Sequence, residues 1–127
     1  MHTERWFEKA DMFRDVAIES IQKNRFDFAS FTAQQAVEFY LKGLLIMRVG
    51  AKAYSHSLVQ LMESLATPGS HIPDDIKRCI RELGEHYLQA RYPDARVAEY
   101  TDDEAKEAID CMEVCLDFLR RIRKETT

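Results

Sequence analysis

The chain has 127 residues, 46% of them hydrophobic and 31% charged, with a net charge of -4 and a pI near 5.6. This is the length of one ordinary domain, able to bury a core without disulfides or metals, so 1–127 is read as a single domain. The acidic balance excludes broad electrostatic binding of nucleic acid but not a local basic patch.

In chain order, Thr3 is placed to cap a first helix in which Trp6, Ala10, Phe13, Ala17 and Ile21 recur at helical spacing to about Lys23. The N-terminus carries acids among its bases and no apolar h-region, so no secretory signal is read there and the protein is expected in the cytoplasm. Asn24 and Arg25 make a short joint, and Asp27 is placed to cap a second helix that stops at Gly50. So short a joint implies an antiparallel pair. The longest apolar run, Gly43 to Met47, is far too short to span a bilayer.

Ser55 or Ser57 then caps a brief helix whose Leu58, Leu61, Met62 and Leu65 face inward. The Pro- and Gly-containing segment 67–75 reads as a turn, with Pro73, Asp74 and Asp75 opening a fourth helix. Ile76, Cys79, Ile80, Leu83 and Tyr87 line one face of it before Pro93. The stretch 91–100 runs irregularly, and Thr101 with Glu104 forms a capping box for a last helix carrying Ala105, Ile109, Met112, Leu116 and Leu119. No alternating strand pattern or internal repeat occurs. The expected fold is all-α, an up-and-down bundle of about five helices.

Chemistry is sparse. Cys79, Cys111 and Cys115 are expected as reduced thiols in the core, and no four-ligand metal set or cofactor motif is present. His2 and His71 are read as surface residues. His56, at the start of the third helix, either meets an anion or stabilises its turn. Gln35, Glu38 and Lys42 follow at +3 and +4, so they share one line along an otherwise apolar helix. That stripe is either an ion pair at the bundle surface or a polar wall of a cleft to which the fourth helix brings Arg81 or His86.

Arg81 and His86 pair a phosphate-holding fork with a proton carrier, the chemistry that cleaves RNA through its 2′-hydroxyl. Five residues at about 100° each leave them roughly 140° apart on a regular helix. A bend at Gly84 or a two-fold dimer would be needed to bring them together. Otherwise they belong to a solvated face, paired as Arg81 with Glu85 and Glu82 with His86. Arg91 and Tyr92 suit a phosphate and a base, or local hydrogen bonds at the helix end.

Trp6 and Ala10, Phe31 with Ala33-Gln34-Gln35-Ala36, Glu38, Leu41-Lys42, Leu44-Leu45, His56-Ser57-Leu58 and Arg91-Tyr92-Pro93-Asp94 together resemble the HEPN domain family, over nearly the whole chain. The resemblance implies a helical bundle that dimerises and binds nucleotide or RNA in a cleft. Many members are metal-independent endoribonucleases that use an Arg and a His separated by four to six residues, a pattern that Arg81 and His86 match. Others pair with a minimal nucleotidyltransferase as toxin and antitoxin, and there a Tyr two residues after the His receives a nucleotide. Here that position is Leu88, with Tyr87 adjacent, and the residue after Arg81 is Glu82, which repels phosphate. The expected function is thus nucleotide or RNA binding, with Gln35, Glu38, Lys42, Arg91 and Tyr92 lining the cleft and Arg81 and His86 as catalytic candidates. The alternative is a non-catalytic helical subunit that docks onto a nucleotidyltransferase.

Overall fold

Five helices account for the regular structure in the computed structural model, which describes residues 3–50, 52–66 and 70–126. They are α1 (Thr3–Gln22), α2 (Phe26–Val49), α3 (Leu58–Leu65), α4 (Asp74–Gln89) and α5 (Asp102–Thr126). Among the described residues there is no strand and no helix long and apolar enough to cross a membrane. His2 and residues 67–69 of the expected turn lie outside the described set.

The all-α expectation holds, and α2 is the helix that packs against all four others. That centrality explains its composition. Ala29, Ala33, Ala36, Val37, Leu41, Leu44, Leu45 and Ile46 are all buried, on more than one side of the helix. From α1, Phe7, Ala10 and Ala17 join this core; Leu58, Leu61, Met62 and Leu65 enter from α3; Ile76, Cys79, Ile80 and Leu83 enter from α4; Met112, Leu116 and Leu119 enter from α5.

Local signals set most boundaries. Gly50 ends α2 in the left-handed region at φ 76°, its N–H donating to Ile46 O. Ser57 caps α3 by accepting from Gln60 N–H at 3.2 Å, while Ser55 Oγ accepts from Ser57 N–H at 3.0 Å, so both serines shape that start. Thr101 and Glu104 form the reciprocal box that opens α5, each taking the other's N–H at 3.1 Å. The expected Asp27 cap is corrected. Arg25 occupies the N-cap position without a side-chain bond, α2 begins at Phe26, and Asp27 instead accepts from the N–H of Phe28. Asn24, at φ 58°, makes the preceding turn sharp enough for the helix to start early.

The cysteine expectation is corrected as well. Packing of α4 on α5 brings Cys79 and Cys111 together as a disulfide, with Cα atoms 5.0 Å apart, and leaves only Cys115 as a buried thiol. Burial pushes that thiol up to about 12.

Gly43 marks the closest approach of α1 to α2. A Cβ there would lie 2.8 Å from Phe7 Cε1 and 3.1 Å from Trp6 Cβ. Phe7 cannot swing aside, because its ring is held between Tyr40 and the Arg123 guanidinium. Overpacking of about 1–3 kcal/mol therefore outweighs the roughly 1 kcal/mol of helix propensity that alanine gains over glycine. Gly43→Ala is expected to lower the urea midpoint. Gly84→Ala, where a Cβ meets nothing within 4 Å, is expected to raise it by about 0.5–1 kcal/mol equivalent.

Candidate functional site

In the polar stripe of α2, Glu38 and Lys42 are buried and Gln35 is half-buried. The side chains of Glu38 and Lys42 are 1% and 7% exposed, and Lys42 Nζ donates to Glu38 Oε2 at 3.0 Å. Of the two alternatives for the stripe, the Glu38–Lys42 ion pair is made, but in the core and not at the bundle surface, because all four other helices pack on α2. Each charge buried this way costs several kcal/mol unless fully partnered, and Glu38 is. Its Oε1 accepts from Gln34 Nε2 at 3.0 Å and Gln35 Nε2 at 3.2 Å, and its Oε2 meets Lys42 and His56 Nδ1, each at 3.0 Å. Four donors fill the four lone-pair positions of a carboxylate.

This network reaches the surface through His56. The imidazole stacks on Tyr87 with ring centroids 4.6 Å apart and planes 18° from parallel. Tyr87 Oη accepts from Arg91 Nη1 at 2.6 Å, and the Arg91 guanidinium lies 5.1 Å from the Tyr87 ring and 5.4 Å from that of Tyr92. Glu38, His56, Tyr87, Arg91 and Tyr92 thus form one connected series running from the core outward. α4 brings Tyr87 onto His56, the outer member of this network, with Arg81 lining the same groove and His86 outside it.

Two depressions flank the series. A groove of about 350 Å³ is lined by His56, Val59, Arg81, Glu85, Tyr87 and Leu88. A crevice of about 550 Å³ between the α1–α2 joint and the α4–α5 connection is lined by Asp27, Arg91, Tyr92, Arg96 and Tyr100, among others. Arg81 is exposed. Among the described residues it forms neither the expected pair with Glu85 nor any other ion pair, and Glu82 pairs with Arg78 at 3.4 Å.

His86 leaves α4 on the other side. Its Nδ1 lies 2.7 Å from the Tyr100 hydroxyl, in a recess shared with Glu82, Glu104 and Glu107. Burial lowers its pKa, opposed by the nearby Glu104 and Glu82 carboxylates, with Arg96 adding to the lowering. Burial likewise raises the Tyr100 phenol to about 12, so the hydroxyl keeps its proton beside a neutral ring. α4 runs unbroken through Gly84, and Arg81 and His86 of one chain line separate recesses.

Sequence patterns missed three participants. Gln34 is fully buried and bonded to Glu38, a link its i,i+4 spacing carried. Tyr87 was legible only as part of the apolar face of α4. Arg96 grips Glu104 through two bonds of 2.7 and 2.6 Å and lies 3.9 Å from the Tyr100 ring centroid, which fixes the irregular 91–100 segment. The Arg96 hydrogen bonds hold the Glu104 carboxyl down at about 2. No cluster of metal ligands occurs among the described residues.

A five-helix bundle whose central helix holds a saturated Gln-Gln-Glu-Lys network beside an Arg-Tyr-Pro-Asp connection defines a class, and comparison identifies it. The HEPN domain profile matches residues 3–122, so the chain belongs to the HEPN domain family. Its fold is similar to that of TT1696 from Thermus thermophilus, at 33% identity and a TM-score of 0.85, covering 94% of this chain and 96% of that one. It is also similar to ST0689, an archaeal HEPN homologue, at 26% identity and a TM-score of 0.77, covering 100% and 99%. No curated protein matches the chain.

The Glu38–Lys42 pair predicts a strongly non-additive mutant cycle. Lys42→Met strands a buried carboxylate and should cost about 3–5 kcal/mol. Adding Glu38→Gln should restore much of that loss, as read from urea unfolding of the two single variants and the double variant.

Proposed function

We propose that this HEPN domain binds nucleotide or RNA across the surface that joins the groove to the crevice. The observation that carries the reading is the His56–Tyr87–Arg91–Tyr92 series. Rings and a guanidinium offer faces on which unpaired bases stack, and Arg81 and Arg91 supply cations for phosphate. Because the inner end of the series is tied to a buried carboxylate, its outer groups are held in place before a ligand arrives, which limits the ordering cost of binding. Gln35, Glu38 and Lys42 act from beneath by holding His56 and do not line the cleft themselves. Leu88 and Val59, exposed at the groove edge, extend this face for a second chain or a nucleotidyltransferase subunit.

A second reading, cleavage of RNA as a metal-independent endoribonuclease toxin, is favoured by Arg81, which has no ion-pair partner among the described residues, and by His86, whose pKa burial lowers. In it, Arg81 of one chain holds the phosphate while His86 of a second chain takes the 2′-hydroxyl proton. The 2′-oxygen attacks phosphorus, the bond to the 5′-oxygen breaks, and the proton passes to that leaving oxygen.

The binding reading predicts saturable binding of a short single-stranded RNA by fluorescence anisotropy at fixed salt. Tyr87→Ala and Arg91→Ala should each weaken it by about 1–2 kcal/mol, roughly tenfold; undiminished binding by both variants would remove the site. The cleavage reading predicts that Arg81→Ala and His86→Ala are each inactive, whereas their mixture regains about a quarter of the parent rate. Half of the mixed dimers are then heterodimers, each with one intact site of two. A mixture as inactive as its parts sinks that reading.

A further inference from the structure

His56 is more elaborately held than a stacking residue requires. Its Nδ1 is bound to Glu38 and its face to Tyr87, yet the side chain remains 54% exposed. Glu38 is a carboxylate whose other three positions are filled by donors, so it can only accept, and Nδ1 must carry the hydrogen. Nε2 stands across the ring from Nδ1, and the ring lines the groove that Arg81 also lines. This is the arrangement by which a buried carboxylate fixes both the tautomer and the direction of an imidazole.

Charged groups of both signs surround the ring. On α2, Glu38 meets the ring at Nδ1 and is itself paired with Lys42. On α4, Arg81 opposes a second cation in the groove, Glu85 favours one, and Tyr87 presents its ring face, with Arg91 beyond it. An anion seated between Arg81 and Nε2 turns that opposition into a shared attraction.

Resting on the binding reading above, we propose that a phosphate of the bound nucleotide or RNA sits between Arg81 and His56, and that His56 takes up a proton as it binds. Nδ1–H then donates to Glu38, Nε2–H donates to one phosphate oxygen, and the Arg81 fork donates to another. No bond is made or broken; one proton moves from solvent to Nε2. His86, turned toward Tyr100, has no part in this step.

The test is calorimetric titration of the full chain with the dinucleotide adenylyl-adenosine, whose phosphodiester does not itself titrate near neutrality, and with adenosine as a phosphate-free control. From pH 6 to 8 the dinucleotide affinity is expected to fall by up to about tenfold per pH unit, the limit for one linked proton. Buffers of differing ionisation enthalpy should report its uptake. Adenosine binding should be flat across the range. His56→Gln should flatten the dinucleotide profile, and His86→Gln should leave it unchanged. Dinucleotide binding by the parent protein that does not vary with pH overturns the proposal while leaving the binding reading intact, whether or not His56→Gln folds. A pH dependence that survives in His56→Gln, or is lost in His86→Gln, overturns it too. Absence of binding by both probes at every pH overturns the proposal and the binding reading together.

Discussion

A carboxylate and an ammonium buried in the middle of the central helix set the terms for everything around them. Two ions taken out of water cost several kcal/mol each, and their mutual attraction repays this only if every remaining position is satisfied. Glu38 meets that condition by drawing in Gln34 and Gln35 from its own helix and His56 from the segment before α3. Apolar packing alone would let the 52–57 segment settle in many ways over α2. The need to complete the shell around Glu38 selects one of them and aims an imidazole at the surface.

Tyr87 transmits that choice to α4. The helix distributes its side chains by angle: Ile76, Cys79, Ile80 and Leu83 inward, Arg81 and Tyr87 toward α3, and His86 toward α5. The two residues that ribonuclease chemistry needs are thus separated by helix geometry, while an imidazole from elsewhere in the chain shares the groove with Arg81. Proximity in sequence and proximity in space part company here. A motif defined by spacing along one helix specifies a single-chain site only when the spacing returns to the same face, and five residues do not.

How much of this could be read from the amino acids depends on the range of each interaction. The apolar spacing in α3, the box of Thr101 with Glu104 and the stop at Gly50 are local, and each was legible. The stripe of Gln35, Glu38 and Lys42 was legible as an anomaly, because three polar groups in register on an apolar helix demand partners. The partner that matters most, His56, is 18 residues away across a helix end, and nothing in spacing reports such a contact. The same limit hid the Cys79–Cys111 bond, made across 32 residues. Asp27 failed as a cap for a different reason: Asn24 adopts a positive φ, and the turn closes two residues sooner than cap preferences imply.

The bond between Cys79 and Cys111 gives the molecule a topology as well as a contact. It closes a covalent ring that contains Arg81, Tyr87, His86, Arg91, Tyr92, Arg96 and Tyr100. His56, Val59, Asp27 and the α2 network stand outside it. The 91–100 segment is therefore a tethered arc, gripped by Arg96 along its length while its two anchoring helices cannot drift apart. Chain entropy that an open connection would release on loosening is already restricted by the crosslink. The arginines and rings of α4 and its connection thus belong to one crosslinked lobe, joined to the buried α2 carboxylate through the stack of Tyr87 on His56.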